Sequence, residues 1–116
     1  MNSFRGIFPV TVGGKEVECR LTMNALRLFC GAEGVEITEL EKYMSKDPLT
    51  ALPTIAYWSY RNSLVYRQSK EKVIDKELFI MNILDEGQLE ALSQHIGDAL
   101  NDQDNEDLGN VKATKK

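Results

Sequence analysis

Few residues in this chain are of the types that do chemistry, and their spacing decides what each could do. The sole histidine, His95, lies among Glu90, Gln94 and Asp98. A general base needs a nucleophile beside it. No serine or cysteine motif surrounds this one, so it reads as a solvated residue on a helix. Cys19 and Cys30 are the two cysteines. They lie too far apart for a CxxC redox or zinc motif, and with His95 they make three scattered candidates where zinc needs local pairs of ligands. Both read as small buried hydrophobes, with a bridge between them left open and disfavoured in a reducing compartment. Gly13-Gly14 could suggest a phosphate cradle, but no helix begins there and no Gly-Lys-Ser/Thr follows. Glu33, Glu36, Glu39 and Glu41 supply carboxylates close together, and paired carboxylates do acid–base work when burial separates their pKa values. Here they punctuate helix ends and starts, where negative charge at an N-terminus is already favourable. These residues predict neither an enzyme nor a metal or cofactor site.

Recognition is the other chemistry on offer. Arg61 and Arg67 interleave with Tyr57, Tyr60 and Tyr66, a mixture that stacks and neutralises single-stranded nucleic acids and is equally enriched at the centres of protein interfaces. The formal net charge of −4 decides between them. With a pI of about 5.0 the chain lacks the broad basic surface of most nucleic-acid binders, which favours a protein partner. Tyr57, Trp58, Tyr60, Arg61 and Leu64 are the expected partner-binding residues, with Tyr57, Trp58, Tyr60 and Leu64 lining an exposed strip.

The elements that must position them follow from pattern. At 116 residues the chain suits one domain with one core, and 42% hydrophobic and 28% charged residues are ordinary globular values. Apolar runs are far shorter than the roughly 20 residues of a membrane span, and no basic flank leads into an apolar signal core, so a cytoplasmic protein is expected. Two alternating runs joined by Gly13-Gly14 predict a β-hairpin in which Val12 faces Lys15, Val10 faces Val17 and Phe8 faces Cys19. Phe4, Phe8, Val10, Val12, Val17, Cys19 and Leu21 then share one apolar face. Pro9, opposite Glu18, blunts the outer edge.

A first helix runs from a Thr22 cap to about Glu33, ended by Gly34 in the left-handed conformation with Val35 folding back on Cys30. Thr38 and Glu41 suggest a capping box for a short second helix, striped by Leu40, Tyr43 and Met44 and stopped at Asp47-Pro48. The longest helix spans Leu49 to Gln68, with Thr50 as cap and Pro53 in its first turn; a start at Pro48 would make Pro53 kink it. Its apolar residues occupy more than one face, which suits a helix central to the core that also presents a face to a partner. Val73, Ile74, Leu78, Phe79, Met81, Ile83 and Leu84 suggest another helix, with some strand character near Phe79 to Ile83. Asp85 and Gln88 suggest a last capping box, and Leu89, Leu92, Ile96 and Leu100 a final helix ending near Asn101. The fold class is α+β, a hairpin packed on four to five helices, forming one domain over residues 1–101. Residues 102–116 are polar and too poor in apolar groups to order themselves, so a disordered tail is expected.

A hairpin with a Gly-Gly-Lys turn, the strand end Glu18-Cys-Arg-Leu-Thr22 feeding Asn24-Ala-Leu-Arg-Leu-Phe29, a central tyrosine- and tryptophan-bearing helix and a terminal acidic amphipathic helix occur here in that order. This layout, over about residues 7–101, resembles the small tail assembly chaperones of long-tailed bacteriophages and related prophages. The resemblance implies a protein absent from the finished virion that works in the bacterial host cytoplasm. It would bind the long tape-measure protein, keep its apolar stretches soluble and help recruit tail-tube subunits; an extended product made by programmed frameshifting would accord with a polar tail. The family has no motif to transfer residue by residue. The mechanism it implies is weak, multivalent and reversible binding of apolar client segments by a soluble acidic protein, with homo-oligomers open. Competing readings are a structural tail or neck component kept in the particle, and a small bacterial regulatory or nucleic-acid adaptor using Arg61, Arg67 and the tyrosines.

Overall fold

Gly13 and Gly14, both at positive φ (59° and 79°), close a two-residue turn between strand β1 (Ile7–Val12) and strand β2 (Lys15–Arg20). A non-glycine residue would be strained at either position. In this computed structural model, which describes residues 6–103, the strands pair antiparallel with Val12 opposite Lys15, Val10 opposite Val17, Pro9 opposite Glu18 and Phe8 opposite Cys19. That is the register expected from the glycine pair. Period-two alternation sends Phe8, Val10, Val12, Val17 and Cys19 into the core, and Leu21 continues the face. Phe4, expected on the same face, lies outside the described residues.

The β1 edge is closed more thoroughly than a proline alone could close it. The Gln88 side chain accepts from the Thr11 amide (2.9 Å) and donates to the Thr11 carbonyl (2.8 Å), and Asn82 Oδ1 accepts from the Gly13 amide (3.0 Å). Gln88 is therefore bonded to the hairpin, and the capping box expected from Asp85 and Gln88 gives way to this edge seal.

Helix α1 (Met23–Glu33) follows directly, and Gly34 at φ 69° ends it with both the Gly34 and Val35 amides bonded to the Cys30 carbonyl. Thr22 precedes α1 in extended geometry but makes no side-chain cap, because its hydroxyl accepts from Asn62 instead (3.1 Å). Ile37–Glu39 forms a single 3-10 turn before α2 (Leu40–Lys46), with no side-chain cap at either start, so the Thr38–Glu41 box is absent. Leu40 is buried, and Tyr43 and Met44 pack against the core as expected.

Helix α3 (Pro48–Tyr66) takes the earlier of the two starts. Pro48 occupies its first turn, where a missing N–H is harmless, and the Thr50 and Ala51 amides bond to the Asp47 carbonyl. Pro53 therefore lies inside the helix, and the nearby Thr54 hydroxyl donates to the Thr50 carbonyl (2.6 Å). Gln68 at φ 52° ends the helix, with the Ser69 amide reaching the Leu64 carbonyl and the Gln68 amide that of Val65.

Helix α4 (Lys76–Asp85) begins where Asp75 accepts from the Leu78 amide (3.2 Å), which leaves Val73 and Ile74 in the preceding link. Gly87 at φ 70° ends it, with the Gln88 amide on the Ile83 carbonyl. Helix α5 (Leu89–Gln103) extends two residues past the expected end and buries Leu92, Ile96 and Ala99. The tail expected from 102 onward otherwise lies outside the described residues. The fold is a two-stranded hairpin packed on five helices. Its middle is α3, which touches β2 and all four other helices, and one continuous core joins hairpin and helices.

Candidate functional site

Aromatic side chains on α3 are organised by α4. Phe79 stacks on Tyr60 (5.3 Å between ring centroids, 24°) and meets Tyr57 edge-on (5.5 Å, 75°), while Tyr57 meets Trp58 edge-on (5.2 Å, 79°). The Tyr60 hydroxyl accepts from the Ile74 amide at 2.9 Å, in the link that leads into α4. Such offset and edge contacts add about 0.5–1.5 kcal/mol per pair to the area they bury. The consequence for recognition is direct. Tyr57, Tyr60 and Leu64 are 4%, 2% and 6% exposed. The expected exposed strip of Tyr57, Trp58, Tyr60 and Leu64 is therefore corrected: three of its four members are core, and α4, through Phe79, lies over the surface that Tyr57 and Tyr60 would have offered.

Trp58 and Arg61 are half-buried. Trp58 Nε1 donates to Glu33 Oε2 (2.9 Å), and Lys76 Nζ donates to the same oxygen (2.9 Å), so one carboxylate ties together α1, α3 and α4. Burial opposes ionisation of Glu33, but the Trp58 and Lys76 hydrogen bonds and the lysine charge prevail and hold its pKa below the ordinary carboxylate range. Arg61 Nη1 donates to the Tyr57 hydroxyl (3.0 Å), and its guanidinium lies 5.4 Å from the Trp58 ring centroid. Arg67 belongs to a different group. Its Nε donates to Ser63 Oγ (3.1 Å), Ser63 donates to Glu18 (2.6 Å), and Arg67 and Arg20 both pair with Glu18 at 3.6 and 3.5 Å. Arg20 also lies 3.8 Å over the exposed Tyr66 ring. The two arginines and their tyrosines thus form separate clusters rather than one stacking platform.

Among the other residues with reactive side chains, His95 is not simply solvated: it stacks flat on Phe8 (5.1 Å, 5°). Both cysteines are free thiols. Cys19 is fully buried, and burial followed by the Glu18 charge pushes its thiol pKa up; Cys30 is half-buried and shifted the same way by burial. Neither is activated as a nucleophile, which requires a depressed pKa. Among the described residues no group of three His, Cys, Asp or Glu side chains is placed to hold a metal ion, and no helix is long and apolar enough to cross a membrane.

Apolar side chains stay exposed on the other side of α4, as they do at Ile37, Leu49, Val65 and Tyr66. Phe79 and Ile83 point inward, whereas Leu78, Met81 and Leu84 are 44%, 49% and 38% exposed. With Ile80 and the flanking Glu77 and Asp85 they line a shallow open groove along the helix. Spacings of three residues place 78, 81 and 84 along one ridge, a row that presents itself to a partner. The sequence held this signal as eight apolar residues between 73 and 84, more than one face of a helix can bury, but period alone does not say which face turns outward. Asn62, buried at the junction of hairpin and α1, carried no sequence signal. It donates to the Arg20 carbonyl (2.9 Å) and the Thr22 hydroxyl and accepts from Asn24 (2.7 Å).

Fold and face together define a small α+β domain with an apolar ridge left on the outer side of α4. No family model, no curated protein and no solved structure matches this chain.

Proposed function

We propose that the protein is a non-catalytic protein-binding chaperone of the phage tail assembly kind, and that it holds its client on the outer face of α4 rather than on α3. The carrying observation is the row Leu78, Met81 and Leu84, about two-fifths to one-half exposed on a helix whose opposite face is fully engaged by Tyr57 and Tyr60. A row of this kind covers apolar stretches of an unassembled client, and the net charge of −4 keeps the pair dissolved. The client that the layout implies is a tape-measure protein, long and helical, which many copies can coat until tail-tube subunits take their place. Binding in the host cytoplasm accords with that role.

Co-expression with the tape-measure protein of the same tail gene cluster tests this reading. The wild-type chain keeps that client in the soluble fraction and co-purifies with it. Met81→Lys and Leu78→Lys, which replace exposed groups, lose the client while keeping a native circular dichroism spectrum. Solubility unaffected by either substitution would refute the assignment. Mass spectrometry of purified virions separates the chaperone, which is absent, from a structural tail component, which is retained.

A further inference from the structure

The ridge on α4 carries charge as well as grease. Glu77 and Asp85 line its groove, Glu86 follows at its end, and none of the three takes part in an ion pair among the described residues. The neighbouring cation, Lys76, is held by Glu33 on the opposite side. A second copy of the same face would set carboxylates against carboxylates, an arrangement penalised in a partly dehydrated interface. An extended segment would need a free strand edge, and the β1 edge beside α4 is closed at Thr11 by Gln88 and lacks an N–H at Pro9. A helix laid along α4 fits instead, its apolar side chains entering the spaces between 78, 81 and 84.

We infer that the outer face of α4 takes an amphipathic helix whose apolar stripe is flanked by lysine or arginine, which meet Glu77 and Asp85. This rests on the reading of α4 as the protein-binding face and adds the chemistry of what it binds. One short helix face buries less than a standard interface, so the complex is weak and forms repeatedly along a long client.

Two synthetic helical peptides with the same leucine stripe, one flanked by lysines and one by glutamates, test this against the full-length protein by fluorescence anisotropy. At low salt the lysine peptide binds about tenfold more tightly, and added salt narrows the gap. The variant E77K/D85K reverses the preference, and E77Q/D85Q abolishes it, which separates these two carboxylates from the general acidity of the chain. Equal binding of both peptides, lost in Met81→Lys, would overturn the charge preference and leave α4 as the protein-binding face. Binding of neither, with the tape-measure client still held soluble, would overturn the inference and move the client elsewhere. Peptide binding that appears only after Lys112, Lys115 and Lys116 are changed to Glu would assign the face to the chain's own end. Self-association lost in Met81→Lys would assign it to a second copy; either result overturns the inference.

Discussion

Gln68 and Glu33 show how single residues hold helix ends and helix junctions in this protein. Gln68 adopts φ 52° to end α3, a left-handed conformation that is strained for a side chain with a Cβ. Gln68→Gly removes that strain and partly offsets it with a more flexible unfolded chain, for an expected gain of about 0.5–1 kcal/mol in urea unfolding. Glu33 has its pKa lowered in the folded state, with burial opposing and the bonds from Trp58 and Lys76 prevailing. Its contribution to stability is therefore complete above the unfolded carboxylate value and disappears as the pH falls through the lower folded value. In acid titrations followed by circular dichroism, Glu33→Gln makes stability less dependent on pH in that window. A wild-type acid limb matched by the variant would remove Glu33 from the account. Asn62 shows the limit of pattern at this scale: an asparagine in a helix announces nothing, and its value comes from a strand carbonyl and a hydroxyl brought beside it by chain crossing.

Among the elements, α3 and α4 determine each other. An α3 apolar on several faces needed covers on several sides, and α4 supplies the one that buries Tyr57 and Tyr60. The tyrosines belong to the stability of the fold and not to a free surface, and this can be measured. Tyr60→Ala is expected to destabilise by about 3–5 kcal/mol, the range for emptying a large aromatic site. Tyr60→Phe keeps the ring stack and leaves the Ile74 amide without its acceptor, for about 1–2 kcal/mol. If Tyr60→Ala were to leave stability untouched, α4 would not be the cover it is drawn as. The hairpin and the first helix were legible in the sequence because their signals are local: the Gly13-Gly14 pair, two-residue alternation and a left-handed glycine at 34. The Thr22 cap and the Asp85–Gln88 box failed because one side chain of each had an alternative in space. Thr22 turned to Asn62 and Gln88 to Thr11, partners 40 and 77 residues away in sequence.

For the molecule as a whole, the seal on the hairpin and the ridge on α4 are parts of one arrangement, since Asn82 and Gln88 bind the hairpin while Leu78, Met81 and Leu84 face away from it. Gln88→Ala opens the β1 edge at one amide. Hydrogen exchange at Thr11 should then accelerate strongly while core amides of α3 exchange at nearly unchanged rates, a local opening rather than a global one. Unchanged Thr11 exchange would show that the glutamine does not protect that edge. The sequence by itself determined the α+β class, the hairpin register, the central place of the long helix and the stopping points at Gly34 and Asp47-Pro48. Each of these follows from φ preferences and side-chain periods that operate within a few residues. Only the tertiary structure decided which apolar face is covered. Helix α3 has more apolar surface than solvent tolerates and α4 has two apolar faces, and the choice of the face that meets water is made by packing between elements, where sequence periodicity carries no sign.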